Sequence, residues 1–312
     1  MTIEELSDEL IHYGRRQKMQ DMYLYLLNGG AIIYFRKNSQ MTKYKEILLE
    51  QAQQLISRFK YLGEMDVGEK RKAQLGAIRY FLKDDTQRLR LSTVGDYQGN
   101  ESLVIRFLYN LKQEEPAYFF SADAELIQQK IQEERGLYLF SGPTGSGKTT
   151  LMYQLAQHAK GQVITIEDPV EIEEPNFLQL QTNEKIQQTY DQLIKLSLRH
   201  RPDLLIIGEI RDQLTAKAAI RAALTGHTVL ATVHAKGVSE TRNRLLDLVG
   251  SQTELDDCLN GVIYQQLFLD YQEESRALLA YQFFTGDLEK RQWSEAYAQI
   301  QERGLIYAEK ET

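Results

Sequence analysis

Apolar and polar positions alternate differently in the two halves of the chain. Ile3, Leu6, Leu10 and Ile11 share one face of an amphipathic helix predicted over residues 2–18. Tyr23–Leu27 and Ala31–Arg36 read as strands joined through Asn28-Gly29-Gly30, where tolerance of positive φ favours a tight hairpin. Helical periodicity is predicted over 43–62. Short strands are predicted near 77–82, 86–94 and 101–108, the last two separated by the turn-rich Gly95–Asn100. These elements make an α+β domain over 1–110. The polar, proline-containing Leu111–Ala117 reads as a hinge linker.

From residue 118 onward the pattern changes. Leu137–Phe140, Val163–Ile166, Leu204–Ile207 and Thr228–Val233 are short, largely apolar strands. Helical segments separate them: one running to about Lys160, then 187–200 and Thr215–Leu224. Apolar strands alternating with helices imply a parallel sheet covered on both faces, an α/β domain spanning 118–312. Helices are expected to resume and run to about Leu267, giving the domain a helical C-terminal part. A closing hairpin is expected near 268–284, and the pattern assigns nothing to the polar tail after Gly286.

With 42% hydrophobic and 26% charged residues, the chain has enough apolar material for about two cores. The net charge of −7 weighs against tight, non-specific binding to a phosphate backbone, so no direct nucleic-acid partner is expected. The single cysteine, Cys258, excludes an intramolecular disulfide and a tetracysteine zinc site, and reads as a small buried residue. Met1–Gln20 lacks the apolar core of a signal peptide, and no run approaches the ~18–20 apolar residues of a spanning helix. The expectation is a cytoplasmic protein able to dock on a membrane complex.

Four segments carry chemistry. Gly142, Pro143, Thr144, Gly145, Ser146, Gly147, Lys148, Thr149 and Thr150 fit the P-loop pattern G-x-x-x-x-G-K-[ST], preceded by an apolar strand and followed by a helix. Such a loop turns backbone N–H groups around phosphates. Lys148 would reach the β and γ phosphates, and the Thr149 hydroxyl would ligate Mg²⁺. Leu204–Ile207 is followed by Gly208-Glu209, which makes Glu209 the acid expected to hold a Mg²⁺ ligand water or orient the attacking one. Glu167, Asp168 and Glu171 cluster at a strand's C-terminal end, the edge where open α/β sheets bind ligands, although a solvated turn would look the same. His227 and His234 bracket the next strand, where a γ-phosphate sensor would sit; by spacing alone each could equally be structural.

Taken together, these segments resemble the secretion-type ATPases that drive type II secretion, type IV pili and DNA-uptake pseudopili. ITIEDPVE (164–171) looks like the family's Asp box, LRHRPDLLIIGEIRD (198–212) like its atypical Walker B, and TGHTVLATVHA (225–235) like its His box. ISRFKYLGEMDVGEKRKAQLGAIRY (56–80) and RLRLSTVGDYQGNESLVIRFL (88–108) resemble its second N-terminal domain. The resemblance implies a RecA-like P-loop ATPase domain with a smaller PAS-like α+β domain, using ATP and Mg²⁺. It assigns water activation to Glu209 and Glu167, and coupling of phosphate to the sheet to His234 and His227. Arg90 and Arg106 would approach the nucleotide as the domains close, and Arg199 and Arg211 match basic positions flanking the Walker B. The resemblance also implies a homohexamer at the inner face of the cell membrane, acting on a polytopic platform protein and through it on pseudopilins.

Three features depart from the pilus-assembly members: there is no tetracysteine zinc subdomain, no long extra N-terminal domain, and Gln265-Gln266-Leu267 stands where Gln-Arg-Leu is common. The third puts any role of that Arg in doubt, and a short, zinc-free member fits best with the competence-type ATPases of Gram-positive bacteria. The alternatives are a pilus-retraction motor, whose late Ala-Ile-Arg-Asn-Leu-Ile-Arg-Glu-like segment has no equivalent here, a nucleotide-gated scaffold, and a nucleic-acid translocase.

Overall fold

In the computed structural model the first helix opens with a reciprocal cap: the Glu5 N–H donates to Thr2 Oγ1 and the Thr2 N–H to Glu5 Oε2. The structure describes residues 2–27, 29–37, 40–82, 85–109, 117–183, 186–286 and 288–306. Its contacts gather into two units, Met1–Asn110 and Leu111–Thr312. Residues 111–116 of the predicted hinge lie outside the described residues.

The first unit runs α1 (Ile3–Arg16), β1 (Asp21–Leu27), β2 (Gly30–Lys37), β3 (Gln40–Ile47), α2 (Leu49–Leu62), β4 (Gln74–Leu82), β5 (Asp85–Gly95) and β6 (Glu101–Leu108). Among the described residues the strands form one antiparallel sheet in the order β3-β2-β1-β6-β5-β4. One sheet face buries Met22, Leu24, Ile33, Leu89, Leu91 and Ile105 together with Leu6, Leu10 and Ile11 of α1 and Leu55, Ile56 and Phe59 of α2. Each such side chain contributes about 1.5–3 kcal/mol.

The helix expected over 43–62 is corrected: residues 43–47 belong to β3, and α2 begins only at Leu49. The register of β3 on β2 shifts between Ile33↔Lys45 and Tyr34↔Lys43, which leaves Tyr44 as the extra residue of a bulge. The bulge lets both Tyr44 and Ile47 lean on the core. Their spacing of three therefore imitated a helical period.

The second unit runs α3 (Ser121–Glu133), β7 (Leu137–Ser141), α4 (Lys148–Gln157), β8 (Val163–Glu167), β9 (Leu178–Gln181), α5 (Tyr190–Ser197) and β10 (Leu204–Ile207). It continues with α6 (Gln213–Leu224), β11 (Thr228–Thr232), α7 (Val238–Val249), α8 (Gln252–Asp256), β12 (Leu259–Leu269), β13 (Ser275–Phe283), β14 (Lys290–Arg291) and α9 (Trp293–Glu302). The sheet order among the described residues is β14-β13-β12-β7-β11-β10-β8-β9, parallel from β12 to β9 and antiparallel at β13 and β14. Leu137 and Leu139 point into a core shared with Leu193 of α5, Ala219 of α6 and Leu245 of α7. Tyr138 and Phe140 point into the opposite core, with Ile127 of α3 and Leu151 and Met152 of α4. This is an α/β unit with a mixed sheet, joined in sequence to a sheet-rich α+β unit, as the fold class expected.

The expected helical stretch to Leu267 is also corrected, because β12 begins at Leu259 and lies inside the sheet beside β7. Leu259–Gln265 is buried throughout, so neither strand alternation nor a polar helix face marks it in the sequence. The tail left unassigned folds into α9, whose Ala296 and Ile300 pack on Leu278. Cys258 is buried, and burial pushes its thiol up to about 12. Among the described residues no helix is long and apolar enough to cross a membrane.

Lys60 of α2 is wholly buried, its Nζ donating to Glu101 Oε1 at 2.7 Å and to the Glu69 carbonyl at 2.6 Å. Lys60→Met leaves the Glu101 carboxylate buried without its cation. The expected loss is about 3–5 kcal/mol, read as a lower urea midpoint for the unfolding transition of the first unit.

Candidate functional site

The P-loop leaves β7 at the C-terminal edge of the parallel sheet and enters α4 at Lys148. Gly142 has φ +140°, and a Cβ there would lie 2.0 Å from the Gln265 carbonyl oxygen of β12. Only glycine meets both demands. Gly145 and Gly147 also take positive φ, while Pro143, Thr144 and Gly145 are exposed at the loop's crest. Gln265 braces the loop from below: its Nε2 donates to the Ser146 carbonyl at 2.6 Å. Lys148 folds back over the loop, donating to the carbonyls of Gly142 (3.0 Å) and Pro143 (2.8 Å). Burial holds its ammonium below the usual pKa, and the nearby charges of Glu171 and Glu209 act against that shift. Thr149 and Thr150 follow, half-buried, in the first turn of α4.

Glu209 is fixed by the strands on either side. The Gly208 N–H donates to the Ile166 carbonyl at 2.7 Å, the Ile210 N–H to the Thr232 carbonyl at 2.8 Å, and Thr232 Oγ1 to the Gly208 carbonyl. A Cβ on Gly208 would sit 3.0 Å from the Tyr190 hydroxyl and 3.2 Å from the Ile166 carbonyl oxygen, so a side chain there would press on both. The carboxylate of Glu209 pairs with Arg211 and lies 3.3 Å from His234 Nε2. His234 is placed there because the Val233 N–H donates to the Phe140 carbonyl at 2.9 Å, stitching the end of β11 to the end of β7. Tyr190 faces this group; burial raises its pKa, and Glu209, Asp168 and Glu167 raise it further, so its hydroxyl stays protonated.

Glu167, the last residue of β8, has a different setting. It is 3% exposed, and its carboxylate accepts from the hydroxyls of Tyr153 and Thr165. Asp168 is exposed and Glu171 half-buried in the loop that follows.

Not all the expected residues of the second unit lie at this edge. His227 precedes β11 and so lies at the opposite, N-terminal end of that strand, its Nδ1 3.1 Å from the Ala222 carbonyl oxygen and 3.2 Å from Thr225 Oγ1. The strand that brings His234 to the P-loop edge thus carries His227 to its other end. Arg199 is exposed in a 3-10 turn, Leu198–His200. Arg90 and Arg106 belong to the first unit, where they are cross-strand neighbours on β5 and β6, and Arg106 Nε donates to Asp21 Oδ1 at 2.9 Å.

Two contributors escaped the motif reading. In the sequence Gln265 reads only as the start of a Gln-Arg-Leu-like triplet, in a segment predicted to be helical. Tyr153 sits in the apolar run of α4, where nothing in the pattern separates it from core.

A glycine-lined loop with its lysine, at the C-terminal edge of a parallel sheet beside a strand-end glutamate, defines a P-loop nucleotide hydrolase. Residues 1–305 match the type II/IV secretion system protein family. The chain belongs to that family and is an ATPase. Among similar proteins, competence protein ComGA of Streptococcus pneumoniae is 47% identical over 287 residues, covering 88% of this chain and 91% of that protein. ComGA of Bacillus subtilis is 38% identical, covering 85% of this chain and 76% of its own length. Of solved structures, the ATPase DotB of Legionella pneumophila aligns with a TM-score of 0.78 at 20% identity, over 97% of this chain and 93% of that one. The pilus retraction motor PilT with bound ADP aligns at 0.65 and 19% identity, over 96% and 90%. At those identities the two structures speak for the fold.

Gly142→Ala puts a side chain into the Gln265 carbonyl and a strained φ into the loop. A strained backbone of this kind costs about 1–3 kcal/mol, so ATP affinity, measured by displacement of a fluorescent nucleotide, is expected to fall about tenfold or more.

Proposed function

We propose that this ATPase is the motor that assembles a type IV pilus-like competence pseudopilus for DNA uptake. It would work as a homohexamer at the inner face of the cell membrane, against a polytopic platform protein, and move pseudopilins indirectly. The observation that carries the enzymatic part is the convergence of Lys148, Glu209 and His234 on one sheet edge. The 47% identity to a competence protein, over most of both chains, supports the biological setting.

In this reading N–H groups of residues 144–150 and the Lys148 ammonium bind the β and γ phosphates of ATP. Among the described residues no group of three or more His, Cys, Asp or Glu could hold a metal. That donor set fits an ion carried largely by phosphate oxygens and completed by Thr149 and by Glu209, directly or through water. When bound, Mg²⁺ would neutralise charge on those oxygens. Glu209 orients a water and accepts its proton as the water oxygen bonds to the γ-phosphorus and the bond to the ADP oxygen breaks, giving ADP and phosphate. His234, against the same carboxylate, reports the γ-phosphate to β11. Glu167 supplies a second, dry carboxylate at the end of β8. Arg90 and Arg106 are proposed to offset transition-state charge during turnover, an effect worth about 10³–10⁵ in rate in other P-loop enzymes.

Glu209→Gln keeps the shape of the side chain but removes the base, so kcat is expected to fall about 10²–10⁴-fold with ATP still bound. Lys148→Ala is expected to lose binding as well. ATPase assays with solution mass recorded for each variant test both. Full turnover in Glu209→Gln would remove the proposed base, and a wild-type monomer under turnover conditions would remove the ring.

A further inference from the structure

The buried polar groups between α4 and the end of β8 form a connected set outside the phosphate-binding loop. Tyr153 lies on α4, the helix that starts with Lys148 and Thr149, and its ring is 0% exposed. Its hydroxyl donates to Glu167 Oε1, and Thr165 Oγ1 donates to the same oxygen at 2.6 Å. Gln179 Nε2 donates to the Tyr153 oxygen at 2.7 Å and to the Ile172 carbonyl at 2.7 Å, while Gln179 Oε1 accepts from the Glu174 N–H at 2.9 Å. Gln157, further along the same face of α4, donates to Glu174 Oε2 at 2.9 Å. The helix therefore grips the 167–181 segment at two points, and one of them is the carboxylate itself. Burial and the neighbouring Glu167 raise the Tyr153 pKa, so the phenol remains a donor.

A carboxylate as buried as Glu167 has lost its water, and hydroxyl donors are what fix its rotamer and its charge in place. We propose that Tyr153 is a positioning residue for hydrolysis: its hydroxyl ties Glu167 to the helix that carries the phosphate-binding residues, while that of Thr165 holds the same oxygen from within β8. The proposal rests on the reading that Glu167 works at the nucleotide site.

The test is steady-state ATPase kinetics on the full chain, with ADP affinity and thermal midpoint recorded for Tyr153→Phe, Thr165→Val, Glu167→Gln and the Tyr153→Phe/Glu167→Gln double variant. Losing a hydrogen bond to a charged group predicts a kcat about tenfold or more lower for Tyr153→Phe, with ADP affinity unchanged. The double variant should be no slower than Glu167→Gln alone, because both changes remove the same function. Wild-type kcat in folded Tyr153→Phe overturns the proposal. So does a loss of rate matched by a loss of ADP affinity, or independent, multiplying effects in the double variant. Should Tyr153→Phe not fold, Thr165→Val decides: a drop in kcat that vanishes in the Glu167→Gln background supports the proposal, and wild-type kcat overturns it. Wild-type turnover in Glu167→Gln, with Glu209→Gln inactive, would instead remove the underlying role of Glu167 while leaving the ATPase intact.

Discussion

The nucleotide site depends on the contact between the P-loop backbone and β12. Main-chain atoms of Gly142 and Gln265 approach so closely that a methyl group cannot fit between them. The side chain of the same glutamine holds the Ser146 carbonyl. Parallel pairing of β7 with β12 sets this distance, because it places Phe140 and Ser141 opposite Ile263 and Tyr264 just before the loop turns away. Once the loop is braced in this way, it enters α4 at Lys148 on the C-terminal edge of the sheet. Lys148 can then fold back across the loop while its charge senses Glu171 and Glu209.

Two glutamates serve that edge in unlike environments. Glu209 sits on a turn anchored to Ile166 and Thr232 and meets an arginine and a histidine at a partly open position. Glu167 is sealed beneath hydroxyl donors from α4 and from its own strand. A carboxylate that must exchange its proton with water needs access to solvent, and one that only shapes the local field is better kept dry. The difference in burial accords with the proposed proton-accepting role of Glu209 and suits Glu167 to a fixed charge.

Much of this was legible in the residues. The P-loop, the glutamate after β10 and the strand–helix alternation are local patterns whose spacing survives folding unchanged. The misreadings have physical causes. A bulge at Tyr44 gave a strand the three-residue spacing of a helix. Burial of Leu259–Gln265 on both faces erased the period that would have marked β12. His227 and His234 look like a pair in sequence, but a strand separates its two ends as far as its length allows, and only the second reaches the site. Tyr153 was invisible because a buried tyrosine in the apolar run of a helix reads as core until the partner of its hydroxyl is known. Its partner Glu167 lies on a different element, and only the fold brings the two together.

Amide hydrogen exchange with and without a slowly hydrolysed ATP analogue tests the central claim, that nucleotide is held at the C-terminal sheet edge by the loop braced on β12. The account predicts slowed exchange over residues 142–150, with smaller effects at 208–211 and 233–235. Residues 225–228, at the opposite end of β11, should not change. Slowed exchange centred on His227, or none in the P-loop, would contradict it.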